Sequence, residues 1–233
     1  GRRVIRLGSS AKPAVQEIMF GGPAGLIDPA AGVLAWRDQA GRTVAILLNY
    51  SCHVTALTQR ARQISADFPG HAARLVEEAT GAPLFFLQGA GGSVGTGKYA
   101  DGSVAVSKEL GRRLAEPVLR LLPGLEPVRS APLRLCHWTE HVELHPRVPA
   151  AAVLRERLQP SARHQWLVAS MLNVVEDPLT RELDLFVLRA GEWCLCGLPA
   201  ESMVEAAIAL RAASPLPFVP VGVYFDCSLW CIP

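Results

Sequence analysis

Two residues with metal-binding side chains stand at points where an apolar run of the sequence ends. His53 follows the apolar run at residues 45–50, and Glu201 follows the segment Gly-Leu-Pro-Ala at residues 197–200. A neutral imidazole binds zinc through one ring nitrogen while a neighbour holds the other, and carboxylates are also zinc ligands. We therefore take His53 and Glu201 as candidate metal ligands. The alternatives are a hydrogen-bonded histidine at a strand end and a glutamate that favours a helix N-terminus.

Asp67 follows a polar loop and begins a pattern of apolar residues at helical spacing. As a helix N-cap, its carboxylate would accept hydrogen bonds from backbone N–H groups of the first turn. As an acceptor behind the metal ligand, it would orient the ring of His53 and take part in catalysis. The sequence leaves both roles open, and we retain Asp67 as a candidate catalytic residue.

The glycine-rich segment at residues 89–97 matches two sequence motifs, one for a catalytic nucleophile and one for nucleotide binding. Residues 91–95 match G-x-S-x-G, the nucleophile elbow of α/β-hydrolases, which would make Ser93 a catalytic nucleophile. Residues 92–98 match G-x-x-x-x-G-K of a P-loop, but Tyr99 stands where Ser or Thr should hold magnesium. Both motifs require a helix directly afterwards, and the sequence after the loop is a poor helix start.

The same loop also has the composition of a substrate or oxyanion loop, in which backbone approaches a ligand closely. In that interpretation Gly91, Gly92 and Thr96 are the candidate substrate-binding residues. The alternative is an ordinary glycine-rich surface loop.

Six cysteines are present, too few for a disulfide scaffold in a chain of this length. Cys194, Cys196, Cys227 and Cys231 together have four thiols, the number in a four-thiolate zinc site. Their spacing differs from that of the usual zinc knuckle, and Cys194 and Cys196 lie in the apolar run CLCGL. Buried free thiols are therefore the favoured interpretation.

The remaining histidines carry less information. His137, His141 and His145 recur every four residues in a predicted strand. On a strand they would share one face, but each would lie about 13 Å from the next, which is too far for a single site. A partly solvated strand face is the favoured interpretation, and His71 and His164 are expected on helix surfaces.

The composition predicts a folded domain with a sizeable core. Half of the 233 residues are hydrophobic, 19% are charged, and the formal net charge is +2. We find no basic stripe with interleaved aromatic residues, so nucleic acid is not expected as a partner. No apolar run reaches about 18 residues, so no transmembrane helix is predicted.

The elements that must position these residues alternate between strands and helices, which predicts an α/β fold with a mixed β-sheet flanked by helices. Continuous apolar runs predict two buried strands, and apolar residues at helical spacing predict the helices. The predicted strands are 33–38, 43–51, 83–88, 132–144, two strands around a turn at 190–191, and 217–226, and the predicted helices are 67–80, 105–122, 150–158, 162–174 and 201–213.

The motifs in their order along the chain resemble the neutral/alkaline non-lysosomal ceramidase family. The resemblance rests on Asn-Tyr-Ser-Cys-His at 49–53, Ile-Ser-Ala-Asp-Phe-Pro-Gly at 64–70 and Leu-Phe-Phe-Leu-Gln-Gly-Ala-Gly-Gly at 84–92. Further matches are Gly22-Pro23, Asp28-Pro29, Gly32-Val33-Leu34, the segment 197–201 and the loop 221–233. The resemblance implies a single catalytic domain over residues 1–233, and we expect the chain to be truncated at both ends.

The resemblance implies a zinc-dependent amidohydrolase that cleaves the N-acyl bond of ceramide or a related lipid amide, and hence a role in sphingolipid metabolism. The family holds zinc through two histidines, a glutamate and a tyrosine. Carried over, His53 matches the second histidine and Glu201 matches the glutamate. The compartment is not indicated, because no signal peptide is visible in a chain that is expected to be truncated.

Three departures from the family pattern keep other functions open. No counterpart of the first, upstream histidine is present, Gly95 stands at the position of the family serine, and Ser228 stands at that of the tyrosine ligand. Tyr224 is displaced by four residues from that position. One alternative is a non-catalytic family member that binds a lipid or a protein. Another is a metal-free serine hydrolase that uses Ser93.

Overall fold

A computed structural model describes residues 5–6, 26–58, 61–97, 100–127, 132–143, 151–157, 172, 180–225 and 231–232. The chain divides into two compact units, one of Gly1–His137 with Leu185–Pro233 and the other of Trp138–Asp184. Strands and helices alternate in mixed sheets, so the predicted α/β class is confirmed. Within the described part of the chain, no helix is long and apolar enough to cross a membrane.

The first unit contains a four-stranded sheet of β1 (Ile5–Arg6), β2 (Ala30–Arg37), β3 (Thr43–Tyr50) and β4 (Leu84–Gln88), in that order. The strand β3 is central, antiparallel to β2 and parallel to β4, and its residues Ile46 and Leu48 are fully buried. This confirms the buried strand predicted from the apolar run.

The prediction that β4 is also a buried strand is only partly right. It lies at the edge of the sheet among the described strands, and Phe85 is 58% exposed. Edge position explains the difference, because an apolar run marks a strand but does not reveal whether both of its faces will be covered.

Two helices pack together over this sheet, α1 (Asp67–Thr80) and α2 (Val104–Leu121). The helix α1 makes the crossover between the parallel strands β3 and β4, and it ends at Gly81, which adopts a left-handed conformation at φ 70°. The side chain of Ser103 caps α2 by accepting a hydrogen bond from the N–H of Val106. The two helices and the sheet share one core, to which Phe68, Ala72, Val76, Leu114 and Val118 belong.

The second unit, Trp138–Asp184, contains the short helix α3 (Ala151–Arg157). It also contains the C-terminal part of β5 (Arg134–Glu143) and the N-terminal part of β6 (Thr180–Ala190). The hydroxyl of Thr139 donates a hydrogen bond to Oδ1 of Asp184 at 2.7 Å. The predicted helix at 162–174 lies outside the described residues, except for Leu172.

Five further described elements lie in the first unit, and some of them contribute to a second core. They are β7 (Trp193–Gly197), β8 (Glu201–Ser202), α4 (Val204–Ala213), β9 (Val221–Gly222) and β10 (Cys231–Ile232). The strands β6 and β7 pair antiparallel around the predicted turn at 190–191, and β7 and β9 pair parallel. The core includes Cys194 from β7, Ala207 from α4, and Val219, Val221 and Val223 from the segment around β9.

The predicted boundaries of the last elements are corrected by the structure. Glu201 lies in β8, which pairs parallel with β10, and the helix begins only at Val204. The predicted strand at 217–226 is shorter, with β9 at Val221–Gly222 and an isolated bridge at Phe218. These pairings join segments that are distant in sequence, so local periodicity did not indicate them.

Candidate active site

Two loops meet where β3 and β4 end. Parallel strands deliver their carboxyl ends to one edge of a sheet, and here the N–H of Gly89 continues the pairing by donating to the carbonyl oxygen of Tyr50 at 2.9 Å. Further along, the N–H of His53 donates to the carbonyl oxygen of Val94 at 2.8 Å. These backbone hydrogen bonds hold the His53 segment against the glycine-rich loop.

The glycine-rich loop also contacts β8. The N–H of Gly92 donates to the carbonyl oxygen of Ser202 at 3.1 Å. A Cβ atom at position 92 would lie 3.1 Å from the carbonyl oxygens of both Glu201 and Ser202, and 3.4 Å from Cγ of Glu201. Only a glycine therefore allows the loop to approach β8 this closely without displacing it.

As a result, the two candidate metal ligands are in direct contact. Nε2 of His53 lies 2.8 Å from Oε1 of Glu201. The two side chains are 35% and 20% exposed. Solvent and a small ligand can therefore reach the pair, and neither residue is a purely internal packing residue. The assignment of Glu201 to a helix N-terminus is wrong, because α4 begins three residues later.

The chemistry of this pair suits zinc, but it provides only part of a site. Imidazole nitrogen and carboxylate oxygen are common zinc donors, and two such atoms on one tetrahedral ion would lie about 3.4 Å apart. The observed separation is 2.8 Å, so an ion would fit after the two side chains move apart by roughly half an ångström. Among the described residues, no group of three or more His, Cys, Asp or Glu side chains is placed to hold a metal.

Tyr224 is tied to the residue that precedes Glu201. Its N–H donates to the carbonyl oxygen of Ala200 at 3.0 Å, and its side chain is half exposed. Both Ala200 and Tyr224 adopt the left-handed conformation, at φ 57° and 65°. Such backbone costs about 1 kcal/mol or more for residues with a Cβ and clusters at functional sites. Ser228, which the sequence resemblance aligned with a tyrosine ligand, lies outside the described residues.

Ser93 lacks the setting of a nucleophile elbow. The loop continues without an α-helix in its described part, and the next described α-helix begins at Val104. The hydroxyl of Ser93 accepts a hydrogen bond from the N–H of Val204 at 3.3 Å and makes a long contact of 3.5 Å with Oε2 of Glu205. The described residues therefore do not show the α-helix that the elbow and the P-loop each require directly after the loop. A catalytic role for Ser93 itself stays a prediction.

The contact with Glu205 was missed by sequence reasoning. Glu205 lies in the first turn of α4, four residues after Glu201. A carboxylate in a first helical turn has an ordinary electrostatic explanation, so its type and position gave no separate signal.

Asp67 is a structural hydrogen-bond acceptor in this fold. Its Oδ1 accepts from the N–H of Phe68 at 2.7 Å and from the hydroxyl of Ser107 at 2.6 Å, and its Oδ2 accepts from the N–H of Leu57 at 2.9 Å. The residue is 5% exposed, and the residue at the N-cap position is Ala66. None of these partners is His53, so a role for Asp67 in orienting that ring gains no support.

Two titratable side chains that precede His53 in the chain, those of Tyr50 and Cys52, are largely buried. Burial raises the pKa of the Cys52 thiol to about 12, and the nearby Asp67 carboxylate raises it further. Burial is also the main cause of the raised pKa of Tyr50. These two groups are therefore neutral at physiological pH and add no charge beneath His53.

Thr96, in the glycine-rich loop, has a buried side-chain hydroxyl that could bind a further group. Its Oγ1 is buried and has no hydrogen-bond partner among the residues that the structure describes. A buried hydroxyl without a partner is uncommon and suits a group that will bind a ligand or water. The substrate-binding role predicted for Thr96, together with Gly91 and Gly92, stays a prediction.

The four cysteines that the structure describes in full are free thiols. Cys52 and Cys194 are buried as the sequence suggested, whereas Cys196 is partly exposed and Cys136 is exposed. Sγ of Cys194 and Sγ of Cys196 lie 3.9 Å apart. Cys227 and the side chain of Cys231 fall outside the described part of the chain, so the larger four-thiolate zinc site was not tested.

Comparison with known proteins links the fold to ceramidases. No protein-family model matches the sequence, and no curated protein matches it significantly. The fold is similar to that of neutral ceramidase from Pseudomonas aeruginosa, with a TM-score of 0.61 and 19% identity, over 88% of this chain and 41% of that chain. It is also similar to a ceramidase complexed with C2, with a TM-score of 0.66 and 16% identity, over 97% of this chain and 47% of that one. The chain thus spans less than half the length of these two structures, and at this identity the likeness establishes the fold.

Proposed function

We propose that this chain carries part of the active site of a zinc-dependent amidohydrolase that resembles neutral ceramidase and cleaves the N-acyl amide bond of a lipid-like substrate. The observation that supports this most is the 2.8 Å contact between His53 and Glu201. These residues were selected from sequence motifs as zinc ligands, and they meet in a fold that is similar to two ceramidase structures.

In this proposal, His53 and Glu201 would hold the metal. Zinc supplies a bound water of near-neutral pKa and a Lewis acid that polarises an amide carbonyl. The backbone fixes one of the two ligands, because the N–H of His53 is bonded to Val94. Gly92 fixes the other by its close approach to β8.

In this proposal, the glycine-rich loop acts mainly by positioning the two metal-binding side chains, and its role is not that of an oxyanion hole. The N–H of Gly92 is bonded to Ser202 and the N–H of Val94 is bonded to Gly91, so neither N–H is available as an oxyanion donor. The hydroxyl of Thr96 is the better candidate for a substrate hydrogen bond, since the described residues leave it without a partner.

The test is the zinc content of the purified chain and its turnover of a panel of N-acyl amides, with ceramide among them. The variants are His53→Ala and Glu201→Gln, with Glu78→Gln as a matched control on the exposed face of α1. We expect the wild type and the control to hold about one zinc per chain more than either site variant, and both site variants to lose turnover. A wild-type chain that binds no zinc from zinc-containing buffer at neutral pH contradicts the proposal.

A second candidate is a non-catalytic member that binds a lipid or a protein. It is favoured by the presence of only two metal donors among the described site residues and by Gly95 at the position of the family serine. Zinc binding without turnover of any amide, together with saturable binding of a fluorescent ceramide that Glu201→Gln leaves intact, would select this candidate over the hydrolase.

A further inference from the structure

Cys194 and Cys196 form a pair of facing thiols on β7, within the second core of the first unit. Residues two apart on a strand project to the same side, and the two Sγ atoms lie 3.9 Å apart. The strand is held on both sides, since β6 and β9 both pair with it. The separation of the sulfurs is therefore built into an ordered sheet and does not depend on a loop.

The separation of the two sulfur atoms fits the binding of one metal ion by both thiolates better than it fits a disulfide bond. Two thiolates bound at about 2.3 Å to one tetrahedral ion lie about 3.8 Å apart, which the pair already matches. A disulfide needs sulfurs about 2.05 Å apart, and the rise of a strand places the two Cα atoms near the upper limit of disulfide geometry, at roughly 6.7 Å. The paired strand resists the backbone movement that would shorten that distance.

The charge balance and surroundings also favour a cation. The neighbours in this core are apolar, among them Ala207 and Val221. A divalent cation on two thiolates makes a neutral unit, which such surroundings tolerate better than a thiolate alone. Cys194 is buried but Cys196 is partly exposed, so an ion can enter from the side of Cys196.

We propose that Cys194 and Cys196 form a second metal site, a two-thiolate clamp for a soft divalent cation such as cadmium or zinc. The site is separate from the His53 and Glu201 pair and does not depend on the function proposed above. Soft thiolate ligands select thiophilic ions, and binding releases the thiol protons.

The ionisation of the pair is consistent with this site. A hydrogen bond from the Cys196 thiol lowers the pKa of Cys194 to about 7, with a smaller contribution from Arg189 and opposition from burial. The same hydrogen bond raises the pKa of Cys196, which burial raises further. The first thiol proton is therefore lost more readily than that of an isolated thiol, and the cation displaces the second.

The test is a titration of the reduced chain with Cd2+, followed by its ultraviolet thiolate-to-metal charge-transfer absorption. The titration uses a His53→Ala, Glu201→Gln background, so that the proposed active site contributes no ligand. We expect the band to saturate at one Cd2+ per chain. Cys194→Ser and Cys196→Ser should each abolish it, and Cys136→Ser, which removes an exposed single thiol, should leave it unchanged.

A band that survives both serine variants, or no band in the parent, overturns the proposal. Loss of the band in Cys227→Ser or Cys231→Ser also overturns it, because a larger four-thiolate site would then replace the clamp. If the serine variants misfold, the second measurement is the protection of the two thiols from alkylation by bound Cd2+. Cd2+ should slow alkylation of both Cys194 and Cys196 in the parent chain, as resolved by mass spectrometry, and unchanged rates contradict the clamp.

Discussion

The N–H of Gly92 donates a hydrogen bond to the carbonyl oxygen of Ser202 at 3.1 Å. Because Ser202 follows Glu201 in β8, this bond links the glycine-rich loop directly to the strand that carries a proposed zinc ligand. The loop is bonded to the His53 segment as well, through Val94. The relative position of the two proposed ligands therefore depends on a loop residue that has no side chain to bind the metal.

Adding one methyl group at Gly92 should disturb the site. A Cβ there would press on the carbonyl oxygens of Glu201 and Ser202, whereas at Gly95 the nearest atom would be 3.9 Å away. We expect Gly92→Ala to weaken zinc binding and turnover by about 10-fold or more, the range seen when partners that orient metal ligands are lost. Gly95→Ala should retain both. Equal zinc affinities in the two variants would show that the close approach is not needed.

Removing the carboxylate of Asp67 should destabilise the fold. Asp67→Ala leaves the N–H groups of Leu57 and Phe68 and the hydroxyl of Ser107 without their acceptor. We expect the free energy of unfolding to fall by about 2–4 kcal/mol in urea denaturation. Ser107→Ala, which removes one donor, should cost about 1–2 kcal/mol.

The control for this prediction is Glu78→Ala on the exposed face of α1, which should change stability by less than about 0.5 kcal/mol. If Asp67→Ala is as stable as this control, the three hydrogen bonds do not contribute as the structure indicates. Catalysis is a separate readout. A large loss of turnover in a fully folded Asp67→Asn chain would instead favour the catalytic role predicted for this residue.

Stability should decrease at alkaline pH because of Cys52. Its pKa is raised to about 12 in the folded chain, against about 8.5 for an unfolded thiol. Between these values the folded state binds more protons than the unfolded state, so this contribution is complete below about pH 8.5 and is lost as pH rises toward 12. The slope attributable to Cys52 approaches about 1.4 kcal/mol per pH unit.

The measurement is urea unfolding at about pH 8, 9 and 10, on either side of the ordinary thiol pKa, for the wild type and Cys52→Ala. The difference between the two chains should shrink as the pH rises, because the variant lacks the titrating group. Cys136→Ala, which removes an exposed thiol, should follow the wild-type slope. Parallel slopes for wild type and Cys52→Ala would mean that Cys52 ionises as readily in the folded chain as in the unfolded one.

The packing of α1 on α2 should depend on Gly111. A Cβ there would lie 2.5 Å from Cβ of His71 and 2.8 Å from the carbonyl oxygen of Phe68. These contacts are too short, so Gly111→Ala must push the helices apart, at a cost of about 1–3 kcal/mol. Gly124→Ala is the control, since its Cβ would meet no atom within 4 Å. Thermal unfolding measures both, and equal melting temperatures would contradict the described helix contact.

The sequence by itself determined the elements whose signals are local. The helix α1 begins at Asp67 and stops at Gly81 as predicted, because apolar spacing and a glycine able to adopt a left-handed φ act within a few residues. The strands around the turn at 190–191 follow from their own alternation. Sequence motifs also selected His53 and Glu201, but as separate candidates rather than as a contacting pair.

Only the tertiary structure decided which groups meet. The pairing of β8 with β10 placed Glu201 in a strand instead of a helix, and the approach of Gly92 brought it to His53. Ser107, far along the chain, is a hydrogen-bond partner of the Asp67 carboxylate. Such contacts depend on how strands and helices stack, because the free energy of long-range packing outweighs local propensity and no short window of sequence contains both partners.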